Sequence, residues 1–394
     1  MRIKTITAAH NLAGKKVLVR VDFNVPLKKG KIVESYKITA NLPLIKYLIK
    51  KEAKVILVSH LGEPVFTTAG KAKERASLSL EPVAKSLAKM LNKKVLFCPQ
   101  PIGSQDLKKQ ITGLKDGQVV LLENIRFYEG ETKNKKSFAK SLAALGDVYV
   151  NNAFAVSHRD HASVSAIKNY LPSYAGTLIE EEVLALAKLM HPQTPFVAVI
   201  GGAKIDTKVA LIKKLSKKAD FVLVGGAVAN CFLAARGLKV GKSPATKEQI
   251  ALAKKIDSRK IIVPIDVIVT DKNFKEITVK KAGQVGAKEY IYDIGPETMK
   301  LYARFLRSAK TIFWNGPVGL FEQPRLRQGT LFIGRTIAQH AKGRAYGVVG
   351  GGETIEALRM TDMMDYVDWV STGGGASIAF LSGEKMPGLK GLVK

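Results

Sequence analysis

The stretch from Phe196 to Lys208 most constrains what this chain can fold into. Its first five residues form an unbroken apolar run rich in β-branched side chains, typical of a strand buried on both faces of a parallel sheet. Gly201 and Gly202 let the backbone approach another group closely, and Lys204 and Lys208 are spaced to share one face of a following helix. The combination suits a phosphate, although a plain turn with two solvated lysines would have the same sequence.

Several short apolar runs in the first half end in polar or basic side chains. They predict strands at 16–25, 55–59, 95–98, 119–122 and 148–150, separated by helical patterns at 36–51 and 80–91. Strand, helix and strand in succession are βαβ units, and open sheets of such units hold ligands at the carboxyl ends of their strands. Each polar side chain there could be an ordinary surface residue, but together they suggest a pocket for a small anion, formed by Asp22, Asn24, His60, Arg126 and Arg159.

Glycine-bearing strand ends recur in the second half. Predicted strands at 221–224, 261–263, 311–314, 346–349 and 367–370 mostly run into glycines, at Gly225-Gly226, Asn315-Gly316, Gly350 to Gly352 and Gly373 to Gly375. An isolated glycine turn is normally just a turn, whereas several at one sheet edge present backbone amides beside helix N-termini. This half therefore suits a nucleotide, and the arginine-bearing first half suits a phosphorylated carboxylic acid.

A length of 394 residues predicts about two to four domains. The helical pattern at 178–190 lies between the two halves, with glutamates near its start and a lysine near its end, as the helix dipole favours. We expect this helix to be a rigid connector and hinge. Closure about it would exclude water from a phosphoryl transfer.

The chain is strongly basic, with 63 Lys and Arg against 33 Asp and Glu and a net charge of +30. Such an excess attracts polyanions, but no arginine-rich arm, zinc-finger spacing or aromatic RNA-binding strand accompanies it, so nucleic acid is the weaker alternative. Cys98 and Cys231 have apolar neighbours and suggest buried free thiols in a reducing compartment. No apolar run reaches the length of a membrane span. We expect a cytoplasmic protein.

Common nucleotide motifs are absent from the sequence. The stretch from Gly237 to Ser243 is one residue too short between its glycines for a Walker A loop, and there is neither a Gly-x-Gly-x-x-Gly fingerprint nor a protein-kinase motif set. His158 and His161 lack Cys or carboxylate neighbours at metal-ligand spacing. We expect these histidines to be polar loop or substrate-contacting groups.

Taken in order, the motifs resemble those of phosphoglycerate kinases over nearly the whole chain. The resemblance rests on Arg20-Val-Asp22-Phe-Asn24-Val-Pro26, Ser59-His60-Leu-Gly62, Glu123-Asn-Ile-Arg126-Phe, His158-Arg159 with His161, Gly201-Gly-Ala-Lys204, Trp314-Asn315-Gly316-Pro317, the Gly350 triplet and Ser371-Thr-Gly373-Gly-Gly-Ala. It implies an α/β fold of two Rossmann-like three-layer lobes with parallel sheets, joined by an interdomain helix. Residues 1–172, completed by 377–394, would form the acceptor lobe, 173–192 the connecting helix and 193–376 the nucleotide lobe.

The resemblance also implies a reaction, the reversible transfer of a phosphoryl group between 1,3-bisphosphoglycerate and ADP, giving 3-phosphoglycerate and ATP in glycolysis, with Mg²⁺ as cofactor. Lys204, Lys208 and Lys37 would be catalytic. The acceptor would be held by Asp22, Phe23, Asn24, Lys37, His60, Leu61, Gly62, Glu63, Arg126 and Arg159. The nucleotide would be bound by Gly201, Lys204, Lys208, Asn315, Glu322, Gly351, Gly352, Glu353, Thr354, Gly373 and Gly374, with Glu353 as the metal ligand. Phosphoryl transfer needs positioning and cancellation of negative charge more than a protein nucleophile.

Some positions depart from the family pattern. Lys37 stands where the family usually has an arginine, so the charge is kept and the planar fork is lost. Glu63 replaces the arginine of the usual His-Leu-Gly-Arg-Pro, and Glu353 replaces an aspartate, as does Asn152. Two alternatives therefore stay open, a divergent member with altered or lost acceptor binding and a basic nucleic-acid-binding protein. We expect a monomer without a membrane partner.

Overall fold

The structure, a computed structural model, describes residues 2–65, 75–203, 206 and 208–393. The chain divides into two compact units, a first unit of Met1–Val183 with Lys385–Lys394 and a second unit of Leu184–Glu384. Lys204, predicted to be catalytic, lies outside the described residues.

The first unit contains eight strands and seven α-helices among its described residues. Its strands are β1 (Lys16–Arg20), β2 (Leu27–Lys28), β3 (Lys31–Ile32), β4 (Lys54–Val58), β5 (Val95–Cys98), β6 (Val119–Leu122), β7 (Val148–Asn151) and β8 (Ser173–Ala175). Its helices are α1 (Tyr36–Thr39), α2 (Leu42–Lys50), α3 (Glu81–Leu91), α4 (Gln105–Thr112), α5 (Glu129–Thr132), α6 (Lys136–Ala143) and α7 (Thr177–Lys188), which runs on into the second unit. Six strands form one parallel sheet in the order β5-β6-β4-β1-β7-β8, and β2 pairs with β3 as a small hairpin.

The sheet of the first unit is buried on both faces because alternate residues of its strands enter two different cores. Val17 and Val19 of β1 pack in the core that also contains Leu48 of α2 and Leu87 of α3. Leu18, between them, packs in the other core with residues of α4 and α6. A strand with a core on each side is apolar along most of its length, which is why the strands predicted at 55–59, 95–98, 119–122 and 148–150 are confirmed to within one residue. The strand predicted at 16–25 is too long, since β1 ends at Arg20.

The predicted helix at 36–51 is wrong as one element, since α1 ends at Thr39 and α2 begins at Leu42. Pro43 has no N–H to donate to Thr39, so the helical hydrogen bonding cannot continue across this point. The break leaves Lys37 on its own short helix.

The second unit contains a second parallel sheet. Its strands are β9 (Phe196–Ile200), β10 (Phe221–Val224), β11 (Ile261–Ile262), β12 (Asp266–Thr270), β13 (Thr278–Lys281), β14 (Tyr290–Ile294), β15 (Thr311–Asn315), β16 (Tyr346–Gly350) and β17 (Trp369–Ser371). Its helices are α8 (Val209–Leu215), α9 (Gly226–Ala235), α10 (Lys247–Ile256), α11 (Pro296–Ser308), α12 (Gln328–His340), α13 (Gly352–Arg359) and α14 (Gly375–Ser382). The parallel sheet has the order β11-β10-β9-β15-β16-β17. The predicted α/β fold with two parallel sheets is confirmed.

A three-stranded antiparallel sheet in the order β13-β12-β14 was not predicted. Val267 and Val269 of β12 pack with Leu233 of α9 and with Ile291 of β14. None of its three strands was predicted, and β13 offered the weakest signal because it is half exposed and carries two lysines at its end. This sheet matters for the site because β14 contributes to the wall of a cavity described below.

The contacts divide the chain inside α7, between Val183 and Leu184, and again between Glu384 and Lys385. The final residues join the first unit through Asn151 Nδ2, which donates to the carbonyl of Gly388 at 3.1 Å, and through other backbone bonds. The lobe bounds taken from the resemblance stay predictions. None of the described helices combines the length and apolarity that a bilayer crossing requires.

Candidate active site

The loops after β1, β4 and β6 lie at one edge of the first sheet and are joined by side-chain hydrogen bonds. Asn24 Oδ1 accepts from the backbone N–H of Gly62 at 2.9 Å. Asn124 Nδ2 donates to the carbonyl of Leu61 at 2.7 Å. Two strand ends are thus linked to the loop that carries His60, because parallel strands bring their carboxyl ends to the same edge. Asn24 and the loop of His60 thus lie at one edge of the sheet, and their binding of an acceptor stays a prediction.

Lys37 and Asp22 form an ion pair at this edge, with Nζ 2.7 Å from Oδ2. The Asp22 side chain is buried and its Oδ1 also accepts from the Asn24 backbone N–H at 2.9 Å. The ammonium of Lys37 is part-exposed. It therefore keeps donor capacity for a ligand while its position is set by the buried carboxylate.

His60 is buried beside Arg20, whose Nη2 lies 3.2 Å from His60 Nδ1. A guanidinium only donates hydrogen bonds, so Nδ1 accepts and the ring carries its proton on Nε2. Burial and then the charges of Arg20, Arg126 and Lys37 hold the pKa of His60 well below its ordinary value. The 4.0 Å approach of Nδ1 to Asp22 Oδ1 is consequently not an ion pair.

Arg20 is fully buried and is held by a chain of hydrogen bonds. Its Nε donates to Ser163 Oγ at 2.9 Å, and that hydroxyl donates to Glu131 Oε1 at 2.6 Å. Burial raises the pKa of Glu131 against the opposing charge of Arg20. Sequence reasoning missed Ser163 and Glu131 because they are far along the chain from Arg20, and cited Arg20 only as part of a motif.

Arg126 and Arg159 converge on the carboxylate of Glu63. Glu63 Oε1 lies 3.4 Å from Arg126 Nη1 and 3.3 Å from Arg159 Nη1. Arg126 is almost wholly buried, and its Nη1 also donates to the carbonyl of Gly62 at 2.7 Å. Burial, and then the charges of Arg159 and Arg20, lower the pKa of Arg126 to about 10. The site is therefore rich in positive charge even with Glu63 in place.

Phe23 and Leu61 were also predicted to be acceptor-binding residues. The side chain of Phe23 is completely buried, and that of Leu61 is almost so. Both belong to the apolar core that contains β1 and β4. Only their backbone atoms could meet a ligand.

The loops after β9, β10 and β15 in the second unit are also tied together. The Gly202 N–H donates to the carbonyl of Pro317 at 2.9 Å, and the Gly226 N–H donates to the carbonyl of Val318 at 2.8 Å. A Cβ added at Gly201 would lie 2.1 Å from the carbonyl oxygen of Pro317. Gly201 is thus required by contact between two loops, whereas Gly202 has φ +103°, a conformation that favours glycine, and an added Cβ there would lie 3.9 Å from Lys208 Cε.

Lys208 immediately precedes α8, which begins at Val209. The expectation that Lys208 projects from within the helix is therefore wrong, and Lys204 lies outside the described residues. Lys208 Nζ donates to Asn315 Oδ1, and Asn315 Nδ2 donates to the carbonyl of Gly350 at 2.8 Å. Burial lowers the pKa of Lys208, and the charge of Glu353 opposes this. One buried amide thus connects the lysine to the loop after β16.

The glycine loop after β16 has one buried side chain that holds a neighbouring loop, and two exposed residues that a ligand could reach. Thr354 is fully buried, and its Oγ1 accepts from the Gly316 N–H at 2.7 Å, so this side chain joins two loops. Gly352 begins α13, and a Cβ there would meet nothing within 4 Å. Glu353 is exposed beside it. Gly351 has φ +100°, a conformation that favours glycine.

A cavity of about 190 Å³ lies within the second unit. Its lining includes Gly202, Gly226, Pro317, Leu320, Glu322 and Glu353. Tyr292 of β14 also contributes, which explains why the antiparallel sheet belongs to the site. An apolar cleft with a few polar groups is the usual form of a small-molecule site.

The remaining predicted nucleotide residues, Gly373 and Gly374, directly precede α14. The Gly373 N–H donates to Ser371 Oγ at 3.2 Å, and Gly374 has φ +51° with nothing within 4 Å of an added Cβ. Among the described residues, no group of three or more His, Cys, Asp or Glu side chains could hold a metal ion. A metal at Glu353 would therefore need further ligands from a nucleotide or water.

Comparison with known proteins gives one consistent result. The family model described as phosphoglycerate kinase matches residues 7–384. A phosphoglycerate kinase of Coprothermobacter proteolyticus is 42% identical, over 100% of this chain and 99% of that protein. One from Borrelia garinii subsp. bavariensis is 40% identical over the full length of both.

Solved structures agree with the sequence comparisons. The phosphoglycerate kinase of Coxiella burnetii superposes with a TM-score of 0.84 at 38% identity, covering 99% of this chain and 98% of that one. The enzyme of Pyrococcus horikoshii OT3 has a TM-score of 0.85 at 30% identity with the same coverage.

Proposed function

The chain belongs to the phosphoglycerate kinase family, and we propose that its first unit binds the acceptor acid and its second unit binds the nucleotide. The function is the reversible transfer of a phosphoryl group between 1,3-bisphosphoglycerate and ADP, giving 3-phosphoglycerate and ATP in glycolysis. The enzyme is a phosphotransferase with a carboxyl group as acceptor.

The observation that carries the proposal is the gathering of cationic donors at the edge of the first sheet. Lys37, Arg126 and Arg159 supply the charges, and neutral His60 supplies an N–H from Nε2. Guanidinium groups bind carboxylate and phosphate oxygens with paired hydrogen bonds. A small acid that carries both groups, as 3-phosphoglycerate does, matches this set of donors.

The nucleotide is proposed to lie against the glycine loops of the second unit. The open backbone at Gly352, the first residue of α13, suits a phosphate beside a helix N-terminus. The cavity of about 190 Å³ has Glu322 available for a sugar hydroxyl. Lys208, held by Asn315, would bind nucleotide phosphates, and the same role is proposed for Gly373 and Gly374.

Mg²⁺ is proposed as the cofactor, with Glu353 as its protein ligand. One exposed carboxylate fits this ion, because Mg²⁺ at such sites keeps several waters and takes its other oxygens from substrate phosphates. When bound, it would neutralise phosphate charge. Its recruitment would therefore depend on the nucleotide.

The chain's own residues would act by orienting the two substrates and cancelling charge. The attacking atom is a carboxylate oxygen, so no general base is needed, and spreading negative charge on the phosphoryl group is the main demand. We propose that Lys37, Lys204 and Lys208 meet this demand, while Arg126 and Arg159 orient the acid. Closure of the two lobes stays a prediction from the sequence.

A coupled assay with purified protein, run in both directions, tests the function. ATP formation from 1,3-bisphosphoglycerate and ADP is the expected result. No turnover in the native chain, with turnover gained in Glu63→Arg combined with Lys37→Arg, would identify a degenerate member. The comparisons do not favour the nucleic-acid alternative, and salt-dependent DNA or RNA binding without turnover would revive it.

A further inference from the structure

The carboxylate of Glu63 occupies the position where two arginines converge. A single oxygen, Oε1, faces Arg126 Nη1 at 3.4 Å and Arg159 Nη1 at 3.3 Å. Both distances are at the long end of the hydrogen-bond range, and the Glu63 side chain is 71% exposed. Ion pairs of this kind are weak and screened by salt. Glu63 can therefore be displaced by a stronger anion.

The Arg126 side chain and the backbone of Arg159 do not depend on Glu63 for their position. Arg126 is anchored by Nη1, which donates to the Gly62 carbonyl, and by its backbone N–H, which donates to Asn124 Oδ1 at 3.0 Å. The backbone N–H of Arg159 donates to the carbonyl of Val156 at 2.9 Å. Removing the Glu63 carboxylate should leave the Arg126 guanidinium in place and free the part-exposed Arg159 guanidinium for an incoming anion.

The arginine pair also has donor capacity that Glu63 does not use. Arg126 Nε is buried and has no hydrogen-bond partner among the described residues. An unpaired buried donor on a cation carries a desolvation cost that an incoming anion can relieve. Phosphate has three terminal oxygens and more charge than one carboxylate, so it satisfies two guanidinium groups better.

We infer that Glu63 is a tethered counter-ion that competes with the acceptor for Arg126 and Arg159. Resting on the proposed function, the inference assigns Glu63 a negative role in acceptor affinity. The acid must displace the carboxylate to reach the arginines, and this cost is the same for the bound substrate and the transition state. A loss of binding free energy that is equal in these two states raises KM for the acceptor and leaves kcat nearly unchanged.

Calorimetric titration of the full chain with 3-phosphoglycerate, without nucleotide, tests the inference independently of turnover. In Glu63→Gln, which keeps the shape and removes the charge, Kd should fall about two- to fivefold, the range of an exposed ion pair. KM for 3-phosphoglycerate should fall by the same factor. Glu63→Ala should give the same gain, because the charge is what matters.

Glu81→Gln is the matched control. Glu81 pairs with Lys85 on α3, at 2.8 Å, and the change removes the same charge from the same unit. It should leave Kd unaltered. In an Arg159→Gln background the gain from Glu63→Gln should shrink, since half of the pair is gone.

An unchanged or weaker Kd in both Glu63 variants would overturn the inference, as would an equal gain in Glu81→Gln. If the native chain binds 3-phosphoglycerate but forms no ATP, the proposed function fails, and the titration still decides the role of Glu63. If no variant binds the acid, the inference fails as well.

Discussion

Arg20 donates through Nη2 to Nδ1 of His60 across 3.2 Å, with both side chains buried beneath the acceptor edge of the first sheet. Because the other end of Arg20 is held by Ser163 and, through it, by Glu131, the protonation of one histidine depends on residues from three distant parts of the chain. As a result, the ring of His60 carries its proton on Nε2, where it can be donated to a bound substrate. The same burial has a consequence for stability.

The first prediction concerns acid sensitivity of the first unit. Burial lowers the pKa of His60 well below 6.5 and that of His161 to about 4. Below pH 6.5 the unfolded chain therefore binds more protons than the folded one, so stability falls as pH falls, by up to about 1.4 kcal/mol per pH unit for each histidine. Urea unfolding of the native chain and of His161→Gln at several pH values measures this, and the variant should show the shallower slope.

NMR of the histidine ring protons provides the direct check on His60. Its Cε1–H resonance, assigned with His60→Gln, should not move between pH 8 and pH 6, because the lowered pKa keeps the ring neutral throughout that range. A normal titration of His60 in that range would contradict the neutral tautomer.

The second prediction concerns the second unit, where we expect one group to lower the stability as pH rises. Asp293 is buried and accepts from the N–H groups of Gly329 and Ile294, yet burial raises its pKa to about 7. Between pH 3.8 and 7 the folded state binds the extra proton, so this group makes the second unit less stable as pH rises through that window. Asp293→Asn should remove the slope, at most about 1.4 kcal/mol per pH unit.

Tryptophan fluorescence isolates the Asp293 effect, since the two tryptophans of the chain, Trp314 and Trp369, both lie in the second unit. The free energy of unfolding is measured by denaturant titration at several pH values between 4 and 7. If it changes with pH equally in the native chain and in Asp293→Asn, the prediction is wrong.

A third prediction separates two glycines that looked alike in the sequence. At Gly201 a Cβ would lie 2.1 Å from a carbonyl oxygen, so Gly201→Ala should destabilise the second unit by about 1–3 kcal/mol or more. At Gly352 the space is open, so Gly352→Ala should leave stability unchanged and weaken ADP binding if phosphates approach the backbone there. Denaturant unfolding and ADP titration of both variants measure the contrast. Unchanged ADP affinity in Gly352→Ala would argue against a phosphate contact.

The parallel sheets could be predicted because most of their strands are short runs of apolar residues that end in polar residues or glycine. The strands at 95–98, 119–122 and 221–224 have the predicted bounds. The half-exposed β13 could not be found in this way. The break between α1 and α2 could have been predicted from Pro43, which cannot continue the hydrogen bonding of a helix.

The candidate site was predictable where a residue lies at the carboxyl end of a strand, as Asp22, His60 and Asn315 do at the ends of β1, β4 and β15. Supporting residues such as Ser163 and Glu131 lie in loops and short helices whose proximity to Arg20 exists only in the folded chain. The sequence also showed Glu63 as a departure from the family pattern but not its two arginine partners. The side chains proposed to bind ligands were therefore easier to predict from the sequence than the residues that hold them in position.

The last prediction tests the lysine beside the nucleotide loops. Lys208 is partly desolvated and held by Asn315, so its ammonium is fixed before any ligand arrives. A preorganised cation of this kind commonly contributes on the order of 10² to turnover, and we expect Lys208→Gln to lower kcat/KM for ADP by about that factor. Lys213, exposed on α8, is the matched control, because Lys213→Gln removes the same charge from the same region. Equal losses in the two variants would mean that Lys208 acts only through general surface charge.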